Sequence, residues 1–408
     1  MKAGFRKFAA ALLAGTLALS ACGPAPAPAP KEEAAVEEAA PAAEAEATAE
    51  EATTEAESDE YFKSWADDSK VVEQVKAYVE DVTNPDSENF IPVEDRIVTA
   101  DFDGTLYGEL DPIYFDWAIV IHRLLWDSTY TPTDDQVELA HIIEAIEQTR
   151  VFPDGLDVRH ASTLVKSFEG MTVEEETEYA KEFAETPAKK FKNLVRKDAY
   201  YVPMRELVDY LEANDFKFYV VSGTDRVLLR SLVPFGFPEL PASQIIGSPM
   251  QINASGQGEK DGLEYMWVPG DETVNVGELW YKNLKMNKVS TIANEIGQVP
   301  VIAMGNSGGD AAMLNYAVTN PKYKGLSLFV LCDDTERDWG ELDKAESGAK
   351  LAEENGWITV SEKDDWKTIY GEGVEIDKDW VWTSEIDGPN AREVAFDDAE
   401  AETLDAAA

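Results

Sequence analysis

Apolar positions in the middle of this chain come in short, continuous runs rich in β-branched residues: "RIVTAD" (96–101), "FKFYVVSG" (216–223), "SQIIGS" (243–248), "QVPVIAMG" (298–305) and "GLSLFVLC" (325–332). Continuous runs, unlike alternating ones, fit strands buried on both faces, as in a parallel sheet covered on each side by crossover helices. Between the runs the period lengthens to that of a helix. "PMRELVDYLEAND" puts Met204, Leu207, Val208 and Leu211 on one stripe, and "KVSTIANEIG" does the same with Val289, Ile292 and Ile296 before Gly297 stops it. The pattern predicts an α/β fold with a Rossmann-like parallel sheet core.

The interval 107–201 breaks this rhythm, with several helical patterns and no convincing strand. "DWAIVIHRLLWD" carries Trp117, Val120, Ile121, Leu124 and Leu125 on one side, and the pairs Thr133/Gln136 and Thr172/Glu175 have capping-box spacing. This interval is read as an α-helical subdomain inserted after the first strand, so that residues 60–106 and 202–382 form the α/β core.

The ends differ in kind. "MKAGFRKFAAALLAGTLALSAC" has basic residues, then an apolar segment too short for a comfortable membrane span, then small residues, which is the layout of an export signal over residues 1–21. Leu19-Ser20-Ala21-Cys22 resembles the bacterial lipobox, whose cysteine is acylated, so Cys22 is the expected lipidation site and the outer face of a bacterial membrane the expected location. Residues 22–59 are almost entirely Ala, Pro and Glu, too poor in apolar surface to pack, and read as a solvated tether. Residues 383–408 read as an acidic tail.

Composition narrows the chemistry. With 408 residues, 44% of them hydrophobic, the chain can bury a sizeable core. Its 80 acids against 35 bases give a net charge of −45, which repels the nucleic-acid backbone, and no local basic patch offsets it. After Cys22 only Cys332 remains, so the mature chain has no internal disulfide, and Cys332, inside an apolar run, reads as an inert buried thiol. His122, His141 and His160 lack zinc-motif spacing and receive no role.

The candidate chemistry sits where strands end. In an open parallel sheet, ligands bind beyond the carboxyl ends of the strands. The first strand ends in Asp101-Phe102-Asp103-Gly104-Thr105, the second in Ser222-Gly223-Thr224, and the fourth in "MGNSGGD". Each alone is an ordinary turn or cap sequence; their arrival in order, each at a strand end, points to one site. Asp101 and Asp103 repel each other at such spacing, so a positive charge is expected beside them.

These stretches resemble the haloacid dehalogenase-like superfamily in its phosphatase branch. Asp101 to Thr105 match the first motif, "VVSGT" the second, a helix-opening lysine the third, and "GNSGGDAAML" the fourth. The resemblance implies Asp101 as nucleophile, Asp103 as general acid and base, and Ser222 as donor to the phosphoryl group. Gly104, Thr105 and Gly223 would contact the phosphate. Lys288 is preferred over Lys282 and Lys285 as the site lysine. Mg²⁺ would be held by the Asp101 carboxylate, the backbone carbonyl of Asp103, Asn306 and Asp310, with Asn306 standing where an aspartate is common and Asp310 acting as ligand or as its support. The helical insertion takes the position of a cap over a small phosphorylated substrate. Tyr107, Tyr114, Trp117 and Tyr201 are either liners, suited to a cationic leaving group such as choline, or hinge and core residues. Asp333 and Asp334 stand either at the rim or at a helix start. The resemblance implies a Mg²⁺-dependent phosphomonoesterase; the alternatives are a catalytically silent lipid-anchored binding protein for a phosphorylated solute, or a phosphotransferase of the same superfamily.

Overall fold

A computed structural model describes residues 60–109, 114–149, 152–380, 388–392 and 394. Contacts divide the chain into Met1–Ala52 and Thr53–Ala408, and every described residue belongs to the second unit. The export signal, Cys22, the tether and most of the acidic tail lie outside the described residues. No described helix is long and apolar enough to cross a membrane.

In chain order, helix α1 (Lys70–Thr83) precedes strand β1 (Ile97–Ala100). Helices α2 (Phe115–Ile121), α3 (Asp134–Thr149), α4 (Leu156–Ser167) and α5 (Val173–Ala184) follow, then the short strand β2 (Phe191–Lys192). Next come α6 (Val202–Ala213), β3 (Lys217–Asp225), α7 (Arg226–Gly236), β4 (Ile245–Ser248), β5 (Met250–Ala254) and β6 (Thr273–Leu279). The remainder comprises α8 (Met286–Thr291), β7 (Ile302–Gly305), α9 (Ala311–Val318), β8 (Leu326–Leu331), α10 (Leu342–Asn355), β9 (Ile358–Ser361) and β10 (Glu375–Ile376).

Six strands form one parallel sheet in the order β4-β3-β1-β7-β8-β9, a Rossmann-like α/β fold. The five apolar runs are five of these strands; β9, four residues at the sheet edge, gave no such run. Burial on both faces follows the period of two. Val98, Ala100, Phe218, Val220, Ile302, Met304, Leu328 and Val330 enter one core. Ile97, Tyr219, Val221, Ala303 and Phe329 enter another on the opposite face, with Ile292, Met313, Leu314 and Ala317 of the covering helices. The predicted stripe of α6, Met204, Leu207, Val208 and Leu211, is fully buried in the first.

Helices α2 to α5 lie in the interval 107–201, where the short strand β2, paired with β10, departs from the expectation of no strand, and both capping boxes are present: Thr133 with Gln136 and Thr172 with Glu175. Helix α2 is buried on every side rather than along one stripe, packed against α3 and α4. Two features were not legible. The antiparallel hairpin β5–β6 has an eighteen-residue connection, without the short turn that marks a hairpin in sequence. The buried side-chain amide of Asn275 in β6 donates to the Val165 carbonyl (3.2 Å) and to Glu176 Oε2 (3.0 Å), joining the hairpin to α4 and α5. Residues 388–392, assigned to the acidic tail, are held in place: Asn390 Nδ2 donates to the carbonyls of Leu124, Asp127 and Tyr130.

Candidate active site

From β1 the chain steps to β3 and β4 on one side, then returns across the sheet to β7 on the other. β1 is therefore where the winding reverses, and the crevice beyond its carboxyl end is the natural ligand site of such a sheet. The three motif-bearing strands β3, β1 and β7 are immediate neighbours, so their terminal residues meet. A cleft of about 440 Å³ opens there, and Asp101, Asp103, Ser222, Gly223, Thr224 and Asn306 line it.

The Asp101 backbone N–H donates to the Met304 carbonyl (2.9 Å), carrying the β1–β7 ladder one residue past the strand. The chain then folds tightly: the Phe102 carbonyl accepts from Leu106 (2.9 Å) and Tyr107 (3.0 Å), and the Gly104 N–H donates to the Tyr107 carbonyl (2.7 Å). Gly104 has φ +72°, and a Cβ there would collide with the Asn306 amide and stand 2.7 Å from Glu109 Oε2. Only glycine meets both the backbone requirement and the close approach.

Lys288, fully buried, donates from Nζ to Asp101 Oδ1 (2.5 Å) and Asp310 Oδ1 (2.7 Å). Of the three candidate lysines, it is the one hydrogen-bonded to both Asp101 and Asp310. Lys282 and Lys285 line the cleft elsewhere, and Lys282 Nζ stands 3.7 Å from Asp116 Oδ2. Burial opposes the charge on Lys288, but the carboxylates of Asp101 and Asp310 hold its pKa above the ordinary lysine value. Asp310 Oδ2 accepts from the backbone N–H groups of Asn306 (3.1 Å) and Ser307 (3.0 Å) and from Ser307 Oγ (3.0 Å). Both Asp310 oxygens are thus engaged in holding the loop and the lysine.

Asp103 Oδ2 accepts from Thr224 Oγ1 (2.7 Å), while its Oδ1 is buried without a hydrogen-bond partner. Burial, then the charge of Asp116, pushes the Asp103 carboxyl well above the ordinary aspartate range. Asp101 is pushed up to about 7 by burial and then by Asp310, against the pull of Lys288. Ser222 Oγ accepts from the Thr224 N–H (3.1 Å), which leaves its own proton to donate. Gly104 and Thr105, both expected at the phosphate, are buried and do not line the cleft, because the turn after Asp103 carries them into the interior, whereas Gly223 does line it.

The residues fit a hard divalent cation. One ammonium stands between the carboxylates of Asp101 and Asp310, and one carboxylate oxygen of the neighbouring Asp103 is buried and unpartnered. Among the described residues no group of three or more His, Cys, Asp or Glu gathers as a metal cage. The donors at the site are carboxylate and amide oxygens, with no thiol or imidazole among the described residues lining the cleft, a donor set that suits Mg²⁺ better than Zn²⁺.

The opposite wall comes from the helices: Tyr114, Asp116, Trp117, Phe152, Pro153, Leu156 and Asp157. Trp117 stacks on His160 (centroids 4.7 Å apart), whose pKa burial lowers to about 4, so that the ring is neutral core. Of the four candidate aromatic liners, Tyr114 and Trp117 reach the cleft; Tyr107 and Tyr201 are core residues, Tyr107 stacking on Phe102. Asp333 and Asp334 are away from the cleft, in a loop where Asp334 accepts from the backbone of Glu336 and Arg337. Cys332 is buried, and burial pushes its thiol up to about 12, in keeping with an inert role. Sequence reasoning missed Glu109, Asp116 and Lys344. Glu109 follows Thr105 by only four residues, whereas nothing in the sequence ties Lys344 to it.

No family model and no curated protein matches the chain. Solved structures do. A conserved functionally unknown protein from Anaerococcus prevotii DSM 20548 aligns at 14% identity over 74% of this chain and 94% of its own, with a TM-score of 0.44. Cytosolic 5'-nucleotidase IIIB bound to cytidine aligns at 12% identity over 74% and 88%, TM-score 0.43. A phosphoserine phosphohydrolase-like protein from Francisella tularensis subsp. tularensis SCHU S4 aligns at 15% identity over 58% and 87%, TM-score 0.31.

Proposed function

We propose that this protein is a Mg²⁺-dependent phosphomonoesterase of the haloacid dehalogenase-like type, acting on a small phosphorylated metabolite through an aspartyl-phosphate. The observation that carries the reading is Lys288 bridging Asp101 and Asp310 directly beneath a cleft into which Asp103 and Ser222 also open. Four motifs scattered over two hundred residues of sequence serve one small volume.

Lys288 holds Asp101 by one oxygen, leaving the other to attack phosphorus while the bond to the leaving oxygen breaks. Asp103, its pKa raised, gives its proton to that oxygen, and the alcohol departs. Asp103, now ionised and steadied by Thr224, then takes a proton from the water that attacks the aspartyl-phosphate, which releases phosphate and restores Asp101. Ser222 donates to a phosphoryl oxygen, and Lys288 offsets charge on both Asp101 and the phosphoryl group. The Asp101 carboxylate, the backbone carbonyl of Asp103 and Asn306 would hold the cation, with Asp310 as the anchor of Lys288 and the loop. Bound there, Mg²⁺ would neutralise phosphoryl charge and ease the repulsion between the two acids.

The aromatic wall of Tyr114, Trp117 and Phe152 suits a small organic leaving group. The purified chain is expected to hydrolyse an aryl phosphate with Mg²⁺, to stop with EDTA, and to lose at least about a thousandfold in kcat on Asp101→Asn; an active Asp101→Asn enzyme would refute the assignment. On the support of its N-terminal sequence, the protein is placed on the outer face of a bacterial membrane through acylated Cys22. Cys22→Ala should then shift it from the detergent to the aqueous phase.

A further inference from the structure

Asn306 lines the cleft and is 6% exposed. Its amide has a donor end and an acceptor end, and only the acceptor serves a cation. The orientation is decided by Glu109, whose Oε2 accepts from Asn306 Nδ2 at 2.9 Å. A carboxylate offers acceptors alone, so it pairs with Nδ2 and disfavours the flipped amide.

Glu109 is itself fixed. Lys344, from the first turn of α10, donates to both of its oxygens (2.5 Å to Oε2), and the Tyr114 hydroxyl donates to Oε1 (3.0 Å). Burial opposes the charge on Lys344, but Glu109 holds its pKa above the ordinary lysine value. Gly104 is the third support, since any side chain there would occupy the space in which Glu109 and Asn306 meet. Parts of the chain from β1, β7 and α10 thus converge on one hydrogen bond.

We propose that Glu109, charge-balanced by Lys344, is a positioning residue that locks the Asn306 amide with its carbonyl oxygen turned to the cation side of the cleft. The inference rests on the cation reading above. It gives Glu109 no proton to transfer and no metal to bind, because its oxygens are taken by Lys344, Tyr114 and Asn306.

The test is a Mg²⁺ titration of the full chain without substrate, followed by thermal stabilisation. Glu109→Gln brings an amide that can donate to Asn306 Oδ1, so the flip becomes possible and Mg²⁺ affinity should fall about tenfold, the scale of one well-placed hydrogen bond. Asn306→Asp removes the donor and sets a second carboxylate against Glu109. In that background Glu109→Gln should strengthen Mg²⁺ binding, reversing its sign. Glu109→Asp, which keeps the charge but shortens the reach, should weaken binding as Glu109→Gln does, and it serves if Glu109→Gln does not fold. Equal Mg²⁺ affinity in wild type and both position-109 variants, or the same sign of effect in both backgrounds, overturns the inference alone. A wild-type chain that Mg²⁺ does not stabilise overturns the cation reading and this inference with it.

Discussion

The two walls of the cleft are built on different principles. The floor is polar and over-determined: Lys288, brought in from α8, has two carboxylate partners, Asp310 four donors, and Asp103 a dedicated hydroxyl, gathered at the ends of three adjacent parallel strands. The opposite wall, from the helices and the segment just before α4, is mostly aromatic and apolar, Tyr114, Trp117, Phe152, Pro153 and Leu156 with two acids, Asp116 and Asp157, and Phe152 is half exposed. A floor held by short hydrogen bonds keeps reacting groups within tenths of an ångström, which chemistry needs. A wall held by packing can change side chains at modest cost, which suits substrate choice.

Breaking the floor should have the largest effect. Lys288→Met leaves Asp101 and Asp310 buried without their shared cation and should cost about 3–5 kcal/mol, read by urea unfolding, as well as turnover. Thr224→Val removes the hydroxyl that lowers the Asp103 pKa. kcat should fall roughly 10- to 100-fold with KM little changed, and the limb of the pH–rate profile that reports Asp103 should move to higher pH.

The junction of the two walls gives a smaller, pH-linked effect. Glu176 of α5 and Asp225 at the end of β3 are both buried; burial and then Asp225 raise the Glu176 pKa well above its ordinary value, and burial raises Asp225 to about 6. Folded-state values above the unfolded ones mean that the folded chain holds protons the unfolded chain has released, beginning near pH 4. That contribution to stability is therefore present at low pH and is lost as pH rises through about 6 and beyond. The melting temperature without Mg²⁺ should be higher at pH 5 than at pH 8, and Glu176→Gln should reduce the difference. The smallest effect is expected on the packed wall. Phe152→Ala should change KM and leaving-group preference a few-fold, leave kcat for an aryl phosphate nearly unchanged, and cost less than about 1 kcal/mol of stability. A kcat loss as large as that of Thr224→Val would show the walls to be less distinct than their construction suggests.

Legibility in the sequence follows the same division. The strands β1, β3, β4, β7 and β8 announce themselves because burial on both faces demands unbroken apolar runs. Both capping boxes could be read because a cap is a local bargain among four residues. The preference for Lys288 over Lys282 and Lys285 rested on its opening the helix before β7, and the structure places it against Asp101. Thr105 misled, since a motif position need not face the ligand once the backbone turns. The hairpin β5–β6 escaped because its pairing spans a long connection and its outer face is partly exposed.

By itself, then, the sequence determined the fold class, the strand ends that carry Asp101, Asp103, Ser222 and Asn306, and the want of positive charge between two neighbouring acids. These depend on local period and on chemistry within a few residues. Only the tertiary structure decided that Glu109 and Lys344 stand behind Asn306, that Thr224 serves Asp103, and which aromatic residues reach the cleft. Such pairings join residues 121 to 235 positions apart, and a linear pattern holds no trace of a hydrogen bond whose two ends are brought together by the winding of the sheet.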